Sequence, residues 1–390
     1  MTDSYQIRII STLEDIKAED WNALLIGKPV NPFVTHEFLY ALEKSGSAVA
    51  EEGWLGQHLI LEDSEGTLLA ALPCYLKNHS QGEYVFDHGW ADAFMRAGGD
   101  YYPKLQCSVP FTPATGPRLL VPECDNAEAR KQAILEGLKQ LCTRMGVSSA
   151  HITFMEKDDW KFAGQTCNYL QRTDQQFHWM NNDYESFDAF LESLSSRKRK
   201  NIRKERKTAL AGNGIEIDLL KGDEITERIW DRFYAFYMDT GNRKWGSPYL
   251  KREFFTLIGK AMPERVLLVM ARRNDEYVAG AINFIGDEVL YGRHWGCLED
   301  HPCLHFEVCY YQAIQYAIEH GLKSVEAGAQ GAHKIARGYV PVTTCSAHWI
   351  THPGLRDAVA DYLVHERREV DRHNEMLNEH TPFKRGNPET

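Results

Sequence analysis

The order of strand and helix patterns constrains this 390-residue chain most, because it occurs twice. The second half is the clearer copy. Strand patterns at Arg265–Arg272, Tyr277–Ile285 and Glu288–Gly296 are followed by a Cys/His-rich break at Cys297–Leu304. A helical stripe then runs from His305 to His320, carried by Phe306, Cys309, Tyr310, Ala313, Ile314 and Ala317, and Gly321 stops it. A short strand at Lys323–Ala327 returns, the small-residue loop Gly328–Lys334 follows, and a last strand leads to Ile350. In the first half, strand patterns lie at His58–Glu62, Thr67–Leu76 and Glu83–His88. A helical stretch near Asp92–Ala97, a long helix at Ala127–Met145 and a strand at Ala150–Phe154 come after them. Each copy is a three-stranded meander, a helix and a returning strand, and a strand reached through a helix lies parallel to its predecessor.

Length supports two domains. The division falls where polarity rises between Lys157 and Asp174, giving an N-terminal domain at 1–165 and a C-terminal domain at 166–390 with a basic helix near 190–210. A hydrophobic fraction of 43% and a charged fraction of 25% are those of a globular chain, with no apolar run long enough to span a bilayer. The first residues show no export signal, and nine cysteines without framework spacing fit a reducing cytoplasm. A net charge of −11 argues against broad coating of nucleic acid. One segment departs from this. Arg197–Lys207 holds eight basic residues and one acid, a local +7, on a helix that Leu191, Leu194, Ile202 and Leu210 anchor. It is either a solvated face or a cradle for phosphates, with Arg199 and Arg203 one turn apart as the candidate contacts.

Several motifs carry a family resemblance: Trp90-Ala-Asp-Ala, Tyr101-Tyr-Pro-Lys-Leu, Pro110-Phe-Thr-Pro-Ala-Thr-Gly-Pro-Arg118, Arg197–Lys204, His305-Phe-Glu307, Gly328–Lys334 and Arg337–Pro341. With the repeated order, these resemble the GCN5-related N-acetyltransferase (GNAT) fold in two copies, as in the FemABX aminoacyltransferases. The motifs match their FemAB-like relatives, described as peptidoglycan biosynthesis/recognition proteins. The resemblance implies an α/β (α+β) fold of two tandem GNAT-like acyltransferase domains with a cleft between them. It also implies transfer of an acyl or aminoacyl group to an amine, the acceptor being a small-molecule amine or a peptidoglycan precursor. The Arg/Gln-x-x-Gly-x-Gly/Ala signature of single-domain acetyltransferases is absent from Cys297–Leu304, so the donor stays open between acyl-CoA and aminoacyl-tRNA. A different class of function is also open: a non-catalytic protein that recognises a cell-wall precursor or another phosphate-bearing ligand.

Acyl transfer to an amine needs a base, oxyanion donors and an anchor for the carrier. The catalytic candidates are Glu326, Lys334, His333, His305 and Glu307, and Gln330 and Arg337 complete the glycine loop. Glu326 is either the base or a member of a buried ion pair with Lys334 or Arg337. His305 is either functional or a solvated helix-opening residue. Further substrate-binding candidates are Arg243 and Trp245 in an interhelical segment and Tyr102, Lys104 and Arg118 in a Pro/Tyr-rich connection. His294, Cys297, His301, Cys303, His305 and Cys309 lie close together, but without paired Cys-x-x-Cys spacing, and no metal is expected.

Overall fold

The computed structural model describes residues 5–212, 214–244, 248–328 and 331–384, and the side chains of 242–244 and 332 are not described. The chain forms two compact units. Unit 1 comprises Met1–Asp174 and Thr343–Arg372, and unit 2 comprises Gln175–Val342 and His373–Thr390. The observed division therefore differs from a single cut at 165/166: it falls at Asp174, and the segment Thr343–Arg372 returns to the first unit.

In chain order, unit 1 contains β1 (Gln6–Ile10), β2 (Leu55–Gly56), β3 (His58–Glu62), β4 (Leu68–Leu72), β5 (Tyr75–Lys77), β6 (Lys104–Cys107) and β7 (Ser149–Met155). β1, β3 and β4 form an antiparallel sheet, and β2, β5, β6 and β7 follow one another in a second sheet. The helix Ala127–Met145 carries the chain from β6 to β7, and these two strands are parallel, with Leu105 opposite Ala150 and Cys107 opposite Ile152. That helix buries Ile134, Leu135, Leu138, Leu141 and Cys142, spaced as one helical face, against Leu105, Cys107, Ala150 and Ile152. Gly146, at φ 67°, ends it with its N–H on the Cys142 carbonyl. The expected strand at Glu83–His88 is not one. Glu83 and Asp87 turn their carboxylates onto Lys104, so the segment folds over β6 and then enters the helix His88–Arg96.

β8 (Leu170–Met180) has its last residues in unit 2, followed by β9 (Glu216–Leu220), β10 (Val266–Arg273), β11 (Glu276–Ile285), β12 (Val289–Cys297) and β13 (Ser324–Glu326). β14 (Tyr339–Ile350) begins in unit 2, and its later residues pair with β7 in unit 1. β9 to β12 are antiparallel neighbours. Asn274 and Asp275, both at positive φ, make the tight turn between β10 and β11. β13 is parallel to β12, with Val289 opposite Ser324 and Tyr291 opposite Glu326. The end of β8 flanks β13 on its other side, with His178 opposite Glu326. Leu267, Val269, Ala281, Leu290 and Val325 form the sheet side of the core against Val308, Ile314 and Ala317 of the crossover helix. That helix is interrupted: Glu307–Tyr311 is a π turn between Leu304–Phe306 and Gln312–Glu319. Among the described residues, no helix is long and apolar enough to cross a membrane.

Candidate functional site

The parallel pair of unit 2 parts early. β13 ends at Glu326 opposite Tyr291, while β12 runs on to Cys297 and, among the described residues, continues paired with β11 alone. A bulge at Arg293 bends β12 just past that point, since Ile282 faces His294 and Asn283 faces Gly292. Gly292 leaves little room here: a Cβ would lie 3.2 Å from Asn283 Oδ1, which would have to shift slightly, and 3.4 Å from the Glu326 carbonyl oxygen. Two parallel strands that separate expose main-chain groups at their carboxyl ends, where open α/β sheets bind ligands.

The loop after β13 brings its side chains to this end. Lys334, 1% exposed, sits on the 3-10 turn Ala332–Arg337, and its Nζ donates to the Gly328 carbonyl oxygen at 2.8 Å. Burial lowers its pKa to about 8. Glu326 is buried, with Oε2 3.9 Å from His178 Nε2. Burial, then the charge of Lys334, lowers the pKa of His178 to about 4, so its imidazole is neutral at pH 7. Neither expected ion pair of Glu326 forms, because Lys334 holds a carbonyl and Arg337 holds Glu205 at 3.0 Å.

His333 and Arg337 belong to the same turn. His333 Nε2 lies 2.9 Å from the Tyr310 hydroxyl, and burial, Arg337 and Lys334 lower its pKa. The Arg337 guanidinium stacks 3.4 Å over the Phe306 ring and donates to the His333 carbonyl oxygen at 2.8 Å. His305 faces Trp295, Tyr310 and His333 in ring contacts. Lys334, His333, Arg337, His305 and Glu326 thus gather in one region of unit 2.

Glu307 points elsewhere. It is fully buried, takes a bidentate bond from Arg206 of the basic helix, and accepts from Gln312 Nε2 at 2.7 Å. It ties the basic helix to the π turn. Arg199 and Arg203 are on the outer side of the basic helix, facing Glu192 and Asp188. Trp245, Gln330 and the side chain of Arg243 lie outside the described residues.

The remaining candidates lie in unit 1. Arg118 is buried and donates to the carbonyl oxygens of Ala114, Pro117 and Thr153, which staples the Pro-rich connection. Tyr102 OH meets Ser80 Oγ at 2.8 Å. Lys104 is fully buried and donates to Ser80, Glu83 and Asp87. Among the described residues, no group of three or more His, Cys, Asp or Glu side chains could hold a metal ion.

Sequence reasoning missed His178, Glu205, Arg206, Tyr310 and Asn283. Asn283 is 1% exposed beside Gly292, and its Nδ2 has no partner among the described residues. An asparagine inside the apolar run Val278–Ile285 was the available signal.

No curated protein sequence matches this chain. The crystal structure of FemX aligns over 88% of this chain and 98% of its own, at TM-score 0.53 and 12% identity. A conserved protein of unknown function from Bacteroides thetaiotaomicron aligns over 88% and 99%, at TM-score 0.52 and 11% identity. The C-terminal domain of a putative lysylphosphatidylglycerol synthetase from Agrobacterium fabrum aligns over 90% and 95%, at TM-score 0.50 and 10% identity. At such identities the likeness is one of fold, and that fold is a mixed α/β arrangement of two units. A family model described as peptidoglycan biosynthesis/recognition matches residues 12–385, nearly the whole chain. The chain belongs to the FemAB-like family.

Proposed function

We propose that this protein is an N-acyltransferase or aminoacyltransferase whose reacting centre lies at the parting of β12 and β13. The observation that carries the reading is a buried lysine, Lys334, held with a lowered pKa in the loop that follows a buried carboxylate, Glu326, at the end of a parallel strand pair. Buried ionisable groups with shifted pKa values collect at functional sites. The amine nitrogen of the acceptor attacks the donor's carbonyl carbon. Glu326, aided by neutral His178, takes the proton the nitrogen sheds. Lys334, still mostly protonated at pH 7, donates to the developing oxyanion or to an anionic group of the carrier. The intermediate collapses to an amide, and the carrier leaves as a thiol or hydroxyl after receiving a proton. The donor is an acyl-CoA or an aminoacyl-tRNA, and the acceptor a peptidoglycan precursor or another amino-bearing metabolite, in keeping with the family.

The test offers purified protein a panel of acyl-CoAs and charged tRNAs, with amine acceptors, and follows carrier release. Lys334→Ala and Glu326→Gln should each lower turnover by at least ~10²-fold while the melting temperature shows an intact fold. If activity merely follows the folded fraction in both variants, the loop is scaffold and the reading fails.

A further inference from the structure

In unit 1 one face of the β5–β7 sheet packs on the long helix. The opposite face carries Tyr75, Lys77, Lys104, Gln106, His151 and Thr153, and all six are buried. The polar face of a half-covered sheet ordinarily meets water. Here the segment that includes Ser80, Glu83 and Asp87 lies over it, and burying that many polar groups is costly unless each finds a partner.

The partners are incomplete, in a complementary way. Lys104 spends its three donors on Ser80 Oγ, Glu83 Oε2 and Asp87 Oδ2, taking one oxygen of each carboxylate. Asp87 Oδ2 also accepts from Tyr101 OH at 2.7 Å. The other oxygens, Glu83 Oε1 and Asp87 Oδ1, are buried with no partner among the described residues. Lys77 is fully buried and sits 3.5 Å over the centre of the Trp54 ring, and its hydrogen bond is to the Gln81 carbonyl oxygen at 3.2 Å. No carboxylate lies within ion-pair distance of it among the described residues. Burial takes the pKa of Lys77 down and that of Glu83 up, each to about 7, the latter in spite of the Lys104 ammonium at 2.7 Å from Glu83 Oε2. Two anionic acceptors want donors, and one ammonium wants an acceptor.

We propose that this cluster binds a small zwitterion, a free α-amino acid, whose ammonium meets Glu83 Oε1 and Asp87 Oδ1 and whose carboxylate meets Lys77 Nζ. Water can supply donors to the carboxylates but no counter-charge to Lys77. A simple amine or a simple carboxylate mends one side and leaves a net charge buried. A zwitterion adds no net charge to a cluster that has two lysines and two acids, and it completes charge-assisted bonds on both sides. The site lies within unit 1 and does not depend on the transfer chemistry proposed for unit 2.

Calorimetric titration of the full chain with the proteinogenic L-amino acids, propylamine and propionate tests this without any activity assay. Saturable binding of one or more amino acids, with neither monofunctional compound binding, is expected. Lys77→Met and Glu83→Gln should each weaken that binding by about tenfold or more, as loss of a charge-assisted bond does. Should either variant fail to fold, a high-resolution crystal structure of the parent soaked in the amino acid replaces it, with density bridging Lys77 and Glu83 expected. The proposal is overturned if no amino acid binds up to about 10 mM, if propylamine or propionate binds as well, if the variants bind unchanged, or if water alone occupies the cluster.

Discussion

Replacing Lys334 with Met should abolish activity and make the protein more stable. Lysine carries an ordinary pKa of 10.5, and in the fold Lys334 is brought down to about 8, with burial as the cause. At about 1.4 kcal/mol per tenfold change, that difference amounts to roughly 3 kcal/mol of destabilisation wherever the folded side chain is charged. Its sign follows from proton binding. Between pH 8 and 10.5 the unfolded lysine is protonated and the folded one is not, so stability rises with pH through that window. Below pH 8 both states are charged and the full penalty applies. Methionine matches the length of the stem and carries no charge. It leaves the Gly328 carbonyl without its donor, which costs about 1 kcal/mol. The net gain expected at pH 7 is about 2 kcal/mol, to order of magnitude. Urea unfolding of parent and variant at pH 7 and again above pH 10.5 measures it. The variant's midpoint should be higher at pH 7, and the gap should close as the parent's amine deprotonates. A variant less stable at pH 7, or a gain that persists at high pH, would show that Lys334 is ordinary framework and would remove the physical ground for treating it as functional.

Other outcomes follow from the same site. On the basic helix, Arg199 and Arg203 face Glu192 and Asp188, whereas Arg197, Lys200, Lys204 and Lys207 have no salt bridge among the described residues. Changing Lys200, Lys204 and Lys207 together to Gln should weaken binding to heparin and lower its salt slope by about three; a smaller effect is expected from Arg199→Gln with Arg203→Gln, and an unchanged slope in the triple variant marks a solvated face. Glu205 joins Arg337 and the Tyr311 hydroxyl to the basic helix, so Glu205→Gln should raise amide exchange in 331–338 by about tenfold without altering β10 and β11, and equal exchange in both proteins counts against that tie. Chelation and dialysis should leave fold and turnover unchanged; about one zinc per chain, with loss of fold on Cys297→Ser or Cys303→Ser, would overturn the expectation of a metal-free protein.

Where an apolar stripe decides an element, the sequence made it legible. The helix Ala127–Met145 and the crossover helix near 304–319 stand where their stripes place them, as do β10 to β12. β8 was not legible, because four of its six buried residues, Arg172, Thr173, Gln176 and His178, are polar, and the apolar pair Phe177 and Trp179 is too short a signal of alternation. The strand expected at Glu83–His88 failed for a related reason: two long-range bonds to Lys104 outweigh local preference. The long helix Pro353–Asn378 was passed over, since only Leu355, Val359 and Leu363 of it are buried. For the glycine-loop side chains, sequence indicated neighbourhood but not partners. Chain proximity suggested Lys334 or Arg337 for Glu326, yet Arg337 goes to Glu205, 132 residues away.

That exchange of partners separates the roles of neighbouring charges. Glu205 and Arg206 are consecutive and opposite in sign, and each takes a counter-charge from a different element: Arg337 from the loop and Glu307 from the π turn. A π turn shifts the helix after it by about one residue relative to the part before, so adjacent side chains can serve different neighbours. Here Tyr310 reaches His333 while Tyr311 reaches Glu205. Every charge in this frame is matched by one of opposite sign, which is what a strut requires. Lys334 is the exception, holding a carbonyl oxygen instead of a carboxylate. A cation kept buried without a matching anion costs stability that a carboxylate in place of Gly328 O would recover. In the same loop Arg337 is matched, so the omission at Lys334 is local among the described residues, and under the function proposed above an anionic group of the ligand would be its partner.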